Sequence, residues 1–344
     1  MSGAEGFAEL MNRSSLGSPT ARSFCARTPA QSAERVRRIA GLEALEDYVS
    51  ADPQGSLARQ LAGATMRQLR EDAGLPGADV AHRMGWSSAK FHRFERGMTR
   101  VSEPDITVLL ELYEADERFA DLMVRLVRKA AEPGWWEEKY SRLVPEWLGH
   151  LISLQEGADC IRSFESLRVP SLLQTADYAE SLLQVGHPVL NRKESARRTE
   201  LLMERQARLS GRRAHCLTTA PLVWALIDES ALYREVGGRD VMREQLQHLL
   251  GKTESPDGLK VALRIVPMRS SAASAAGVSA FSFLRFALEV VPDTIFVRNP
   301  SSAQLITGER ETDSWRMLLD RLAVDALSID ETRRLLAEAI RALR

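Results

Sequence analysis

"GWSSAKFHRFERG" (Gly85–Gly97) decides how the first half of the chain is read. Helical residues turn by about 100° each. With Phe91 facing inward, Phe94 lies about 60° to one side and Glu95 about 40° to the other. Ala89, His92, Arg93 and Arg96 fall on the opposite face, with Ser88 and Lys90 flanking it. One face is aromatic; the other is small, polar and basic. From His82 to Arg100, five Lys/Arg (Arg83, Lys90, Arg93, Arg96, Arg100) meet a single acid, Glu95, a local charge of +4 in a chain of net charge −1. That acid sits on the apolar face, where an unpaired carboxylate is costly to bury. Arg70 shares a face with Met66, Leu69 and Ala73 of the preceding helix. The two inward charges predict a partly buried Arg70–Glu95 pair.

Around this stretch every segment from Leu57 to Ala131 has helical spacing. A first helix ends at Gly74, and a short one runs from Gly77 to Met84. Gly85 breaks it, and Ser87 to Arg96 form the third, stopped by Gly97. "SEPD" (Ser102–Asp105) is a capping sequence with proline in the first turn, opening a stripe of Ile106, Leu109, Leu110 and Tyr113. Phe119, Leu122, Met123, Leu126 and Val127 give the fifth. A short helix, a glycine turn and a second helix with a basic outer face make a helix-turn-helix pattern.

"LREDAGLPGADVAHRMGWSSAKFHRFERG" resembles the helix-turn-helix of the lambda-repressor-like, xenobiotic-response-element class. Ala81, Gly85, Phe91, Glu95 and Gly97 match its small, turn, apolar, acidic and loop positions, and Arg70 its pairing arginine. The resemblance implies double-stranded DNA as partner. Ser88, Ala89, His92 and Arg93 would face base edges in the major groove, and Lys90, Arg96 and Arg100 phosphates. One such module contacts too few base pairs for useful specificity, so a homodimer reading paired half-sites is expected. One position departs: Gly77 stands where many members carry a backbone-gripping glutamine.

Outside this domain the texture changes. Residues 1–56 hold "NRSSLGSPTARS" and "ADPQGS", which bury too little apolar surface to offset ordering entropy. They read as a mostly disordered extension, with one helix possible over "AERVRRIAGLEALEDYV", or as a misassigned start. After Ala131 the pattern stays helical to about Leu209. Strand-like runs follow at Pro221–Ile227, Lys260–Pro267, Ser279–Phe286 and Thr294–Arg298, with helices at Arg239–Leu250 and from Glu309 on. The expected fold is therefore an all-α five-helix domain over 57–131, then an α+β domain over 132–344 with a small antiparallel sheet.

The second region offers little chemistry. "LLGKT" (Leu249–Thr253) lacks the first glycine of a phosphate loop, and "GVSAF" (Gly277–Phe281) lacks the second of a nucleophile elbow. The histidines have no zinc spacing, and Asp228 with Glu229 reads as a helix cap. No catalytic residue, metal ligand or cofactor is expected, and the chain is not read as an enzyme. Trp135, Trp136, Tyr140 and Tyr178 are candidates for a ligand or partner surface. Hydrophobic residues at 44% and charged at 27% are ordinary for a globular protein. No apolar run approaches the ~18 residues of a membrane span, and the start lacks the pattern of a secretory signal. Three distant cysteines, Cys25, Cys160 and Cys216, suit reduced thiols in a cytoplasmic protein.

"RVPSLLQTADYA" (Arg168–Ala179), "RRTELLMERQARL" (Arg197–Leu209), "ALIDESALYREVGG" (Ala225–Gly238), "MREQLQHLL" (Met242–Leu250), "RIVP" and "FSFLRF" are together similar to the C-terminal domain of actinomycete antitoxin-like helix-turn-helix regulators. That resemblance implies a sensing, partner-binding or dimerising role, with a small protein encoded by a neighbouring gene as a possible partner. Two departures stand out: Ser171 replaces the usual glycine, and the late strand ends in Arg298 rather than glutamate.

Overall fold

The structure is a computed structural model; it describes residues 45, 55–187, 189–211, 221–254, 260–277, 280–286, 290–299 and 302–343. The expected N-terminal extension lies outside them, apart from Leu45 and the start of the first helix. Leu45 is buried in the N-terminal core.

Five helices open the described chain: α1 (Gly55–Asp72), α2 (Gly77–Arg83), α3 (Ser88–Glu95), α4 (Glu103–Leu112) and α5 (Glu117–Ala131). Their ends are set chemically. The side chains of Ser87, Ser102 and Asp116 accept hydrogen bonds from Lys90, Asp105 and Phe119 N–H groups, capping α3, α4 and α5. Gly85 and Gly97 turn the chain with φ of +63° and +65°, a region costly for other residues. Met66, Leu69, Val80, Phe91, Phe94, Ile106 and Leu122 meet in the middle, all nearly inaccessible.

The rest of the chain adds α6 (Trp135–Tyr140), α7 (Glu146–Gly157), β1 (Cys160–Glu165), α8 (Ala176–Gly186), α9 (Arg192–Ser210), β2 (Leu222–Asp228), α10 (Arg239–Glu254), β3 (Val261–Val266), α11 (Ser271–Ala276), β4 (Ala280–Arg285), β5 (Thr294–Arg298), β6 (Ala303–Ile306), α12 (Glu309–Asp325) and α13 (Ile329–Ala342). The strands form one six-stranded sheet in the order β3-β2-β1-β4-β5-β6. β1, β2 and β3 run parallel; β4, β5 and β6 are antiparallel to their neighbours. This corrects the expectation of a small antiparallel sheet. Two strands missing from that expectation, β1 and β6, account for the size. The helix α10 between β2 and β3 accounts for the parallel half, since a crossover is what parallel neighbours require.

Helices cover both faces. Phe164, Leu226, Phe281, Phe283 and Ile295 pack against Leu319 and Leu322 of α12. On the other face Ala225, Ile227, Leu263 and Ile265 pack with Met242 and Leu246 of α10 and Leu336 of α13. At its end of that face, Ile161, Val223, Leu284 and Phe296 join the core of the five-helix unit through Leu151 and Leu154 of α7. The apolar interior is thus continuous across residue 132. No helix among the described residues is long and apolar enough to cross a membrane.

Candidate nucleic-acid interface

Helix α3 is held by its inner face and by one ion pair. Phe91 and Phe94 are buried, and Trp86 packs edge-on against Phe94 at 5.8 Å between ring centroids. Arg70 of α1 meets Glu95 with two hydrogen bonds, Nε to Oε1 at 2.6 Å and Nη2 to Oε2 at 3.2 Å. A further Arg70 nitrogen donates to the Leu75 carbonyl at 2.9 Å, so the same guanidinium holds the α1–α2 turn. The Glu95 side chain is 4% exposed and that of Arg70 12%. Burial works most strongly against the Arg70 charge, but the Glu95 hydrogen bond together with the charges of Glu95 and Glu71 outweighs it and raises the pKa.

Because Glu95 is consumed inside, the outer face of α3 carries uncompensated charge. Ser88, Ala89, His92, Arg93 and Arg96 are exposed. Among the described residues neither Arg93 nor Arg96 has a carboxylate partner. Lys90 lies over the Trp86 ring at 3.9 Å, an arrangement that leaves its ammonium tethered beside α3. Arg100 is placed differently from the other six. It donates to Glu137 of α6 at 2.6 Å, and Arg59 of α1 donates to the other oxygen of the same carboxylate at 2.6 Å. Burial alone would raise the Glu137 carboxyl; Arg59 foremost, with Arg100, holds it below the usual range. Glu137 therefore locks the five-helix unit onto α6, a contact absent from the sequence reading. Gly77 has a local reason: a Cβ there would stand 3.3 Å from the Phe91 ring.

The four aromatic candidates do not form a surface. Trp136, Tyr140 and Tyr178 are buried. Trp135 packs edge-on against Trp136 and Tyr140, donates to Glu156 and lies under Arg208 at 4.4 Å. The Tyr140 hydroxyl donates to Glu204 at 2.9 Å, so this group ties α6 to α7 and α9. Tyr178 sits apart in the sheet-side core, its hydroxyl accepting from the Val169 N–H at 3.2 Å. The expected ligand or partner surface is interior packing, which is the commoner use of large aromatics.

A cleft of about 200 Å³ opens behind α3, where α1 meets α7 and the sheet. Gln60, Arg67, Arg96, His150, Leu154 and Val291 line it. The Gln60 amide is buried there without a hydrogen-bond partner among the described residues. Arg96 thus stands between the outer face of α3 and the junction with the sheet.

A helix-turn-helix domain family matches residues 61–122, which spans α1 to α5 and includes the Arg70–Glu95 pair. A domain of unknown function, DUF5753, matches residues 148–338, from α7 into α13. No curated protein and no solved structure matches the chain. With more than half its length inside that second match, the chain belongs to the DUF5753 family and carries a helix-turn-helix domain ahead of it.

Proposed function

We propose that this protein is a sequence-specific DNA-binding transcriptional regulator, with α3 as the helix that enters the major groove. The observation that carries the reading is the division of labour on α3. Its only acid is turned inward and neutralised, while Ser88, Ala89, His92 and Arg93 stand outward with no competing carboxylate. Arg93 is placed to read guanine by a two-pronged hydrogen bond. Lys90 and Arg96 suit phosphates. Arg100, shared with Glu137, is the weakest of the proposed contacts.

The finer identity is part of the same proposal: a xenobiotic-response-element type domain, acting as a homodimer in the cytoplasm and without enzymatic activity. Its support is the sequence resemblance, together with the small footprint of one such module, which paired half-sites extend. The C-terminal domain is read as the sensing or partner-binding part of an antitoxin-like regulator. The junction cleft supports this, since an occupant there would touch both Arg96 and the sheet domain.

Binding to DNA upstream of the protein's own gene, measured against salt, tests the reading. The wild type is expected to prefer that DNA over random sequence. Arg93→Ala should lose about 1–3 kcal/mol of that preference. Arg96→Ala should weaken all sequences alike and flatten the salt slope by about 1. A wild type that binds random DNA equally well overturns the proposal.

A further inference from the structure

The far end of the sheet holds an imbalance of buried charge that the DNA-binding reading does not use. Phe164 of β1 pairs with Phe281, and Arg298 of β5 pairs with Ala280. One step beyond Phe164, Glu165 comes level with Ala280, so Glu165 and Arg298 share a sheet face with only a methyl group between them. Arg168 folds back onto Glu165 with Nε–Oε2 at 3.1 Å, which commits that carboxylate. From α9 above, Arg205 descends into the same place. It is 7% exposed, donates one Nη to Ser171 Oγ at 3.0 Å, and its Nε has no partner among the described residues. Trp147 lies against Arg298 at 6.0 Å.

Arg168 and Arg298 therefore flank one carboxylate with Arg205 close to Arg298, and neither Arg205 nor Arg298 forms an ion pair among the described residues. Burial foremost, with Arg298 opposing Arg205 and Arg168 opposing Arg298, pushes both pKa values down to about 10, so both remain charged at neutral pH. A buried charge without a partner is among the costliest arrangements a fold can hold. The planar donors of arginine match tetrahedral and planar oxyanions. Ser171 adds a hydroxyl beside Arg205, and the half-buried Arg168 and Arg298 leave a side open to solvent.

We propose that Arg205 and Arg298, with Ser171, form an oxyanion site in the C-terminal domain that takes a doubly charged phosphate group. The site is separate from α3, so it stands or falls independently of DNA binding. The test is the melting temperature of the full chain at constant ionic strength, with chloride replaced by inorganic phosphate and, in a parallel arm, by glycerol phosphate. Phosphate salts stabilise most proteins to some degree. Arg298→Glu, which balances the cluster, and Arg205→Met, which keeps its volume, report that general effect. The wild type is expected to gain more than either variant, with the gain rising with the logarithm of phosphate concentration. The arm with the lower half-saturating concentration identifies whether free phosphate or an ester is preferred. Equal gains in the wild type and both variants, in both arms, overturn the proposal. Phosphate held by α3 would survive in both variants and is thereby told apart.

Discussion

At the scale of single residues, Glu95 determines how α3 sits. Removing one member of a buried pair leaves the other charge stranded, at about 3–5 kcal/mol. Glu95→Ala strands Arg70, leaving it the Leu75 carbonyl and a 3.3 Å contact to Glu71. Glu71 also pairs with Arg67, but its side chain is 44% exposed, and Glu71→Ala should cost under about 1 kcal/mol. Urea denaturation of the two variants is expected to show that gap; equal midpoints would remove the ion pair from this account. Both partners were legible in the sequence, because a charge on an apolar helix face is a contradiction only a partner resolves. Glu137 was not. It sits in "WWEEKY" without breaking any pattern, and its partners Arg59 and Arg100 are 78 and 37 residues away. Arg205 was hidden in the same way, since its helix is rich in charge and nothing local marks which arginine turns inward.

At the scale of elements, α3 is bounded by Ser87 and Gly97, and the two ends fail differently. Ser87→Ala removes one cap hydrogen bond, worth about 1 kcal/mol. Gly97 combines a φ of +65° with a close approach, since a Cβ there would lie 2.4 Å from Gln60 Cα, backbone that cannot swing aside. Gly97→Ala should therefore destabilise more than Ser87→Ala and weaken DNA binding at temperatures where the chain is still folded. Thermal melts with parallel DNA titrations separate the two; matched losses in both assays would refute the close-approach argument. Helix ends like these were readable because caps and glycines act locally. β1 was not, because it is covered on both faces and lacks alternation. Its Arg162 is buried, pairs with Asp320 of α12 at 2.6 Å and stacks over Trp224, contacts no local window contains. The parallel pairing did leave a trace in the helix between β2 and β3.

At the scale of the whole molecule, the five-helix unit and the sheet share one interior, and pH should load their junction. His150 of α7 faces the cleft beside Arg96 and Arg59, while the acids there, Glu71 and Glu95, are engaged by Arg67 and Arg70. Burial foremost, then the two cations, push His150 from 6.5 down to about 4. The folded protein keeps the imidazole neutral over a range where the unfolded chain takes up a proton. Its contribution is therefore fully present above pH 6.5 and lost progressively as pH falls to about 4. Glu137, held below 4.5, loses its contribution only under more acidic conditions. The two windows barely overlap, so His150→Gln should flatten the fall in unfolding free energy between pH 6.5 and 4.5 while leaving the acid limb intact. Urea titrations at several pH values across that span decide it. An unchanged slope in His150→Gln would mean that the imidazole is hydrated in the folded state and that the junction opens more readily than the continuous core implies.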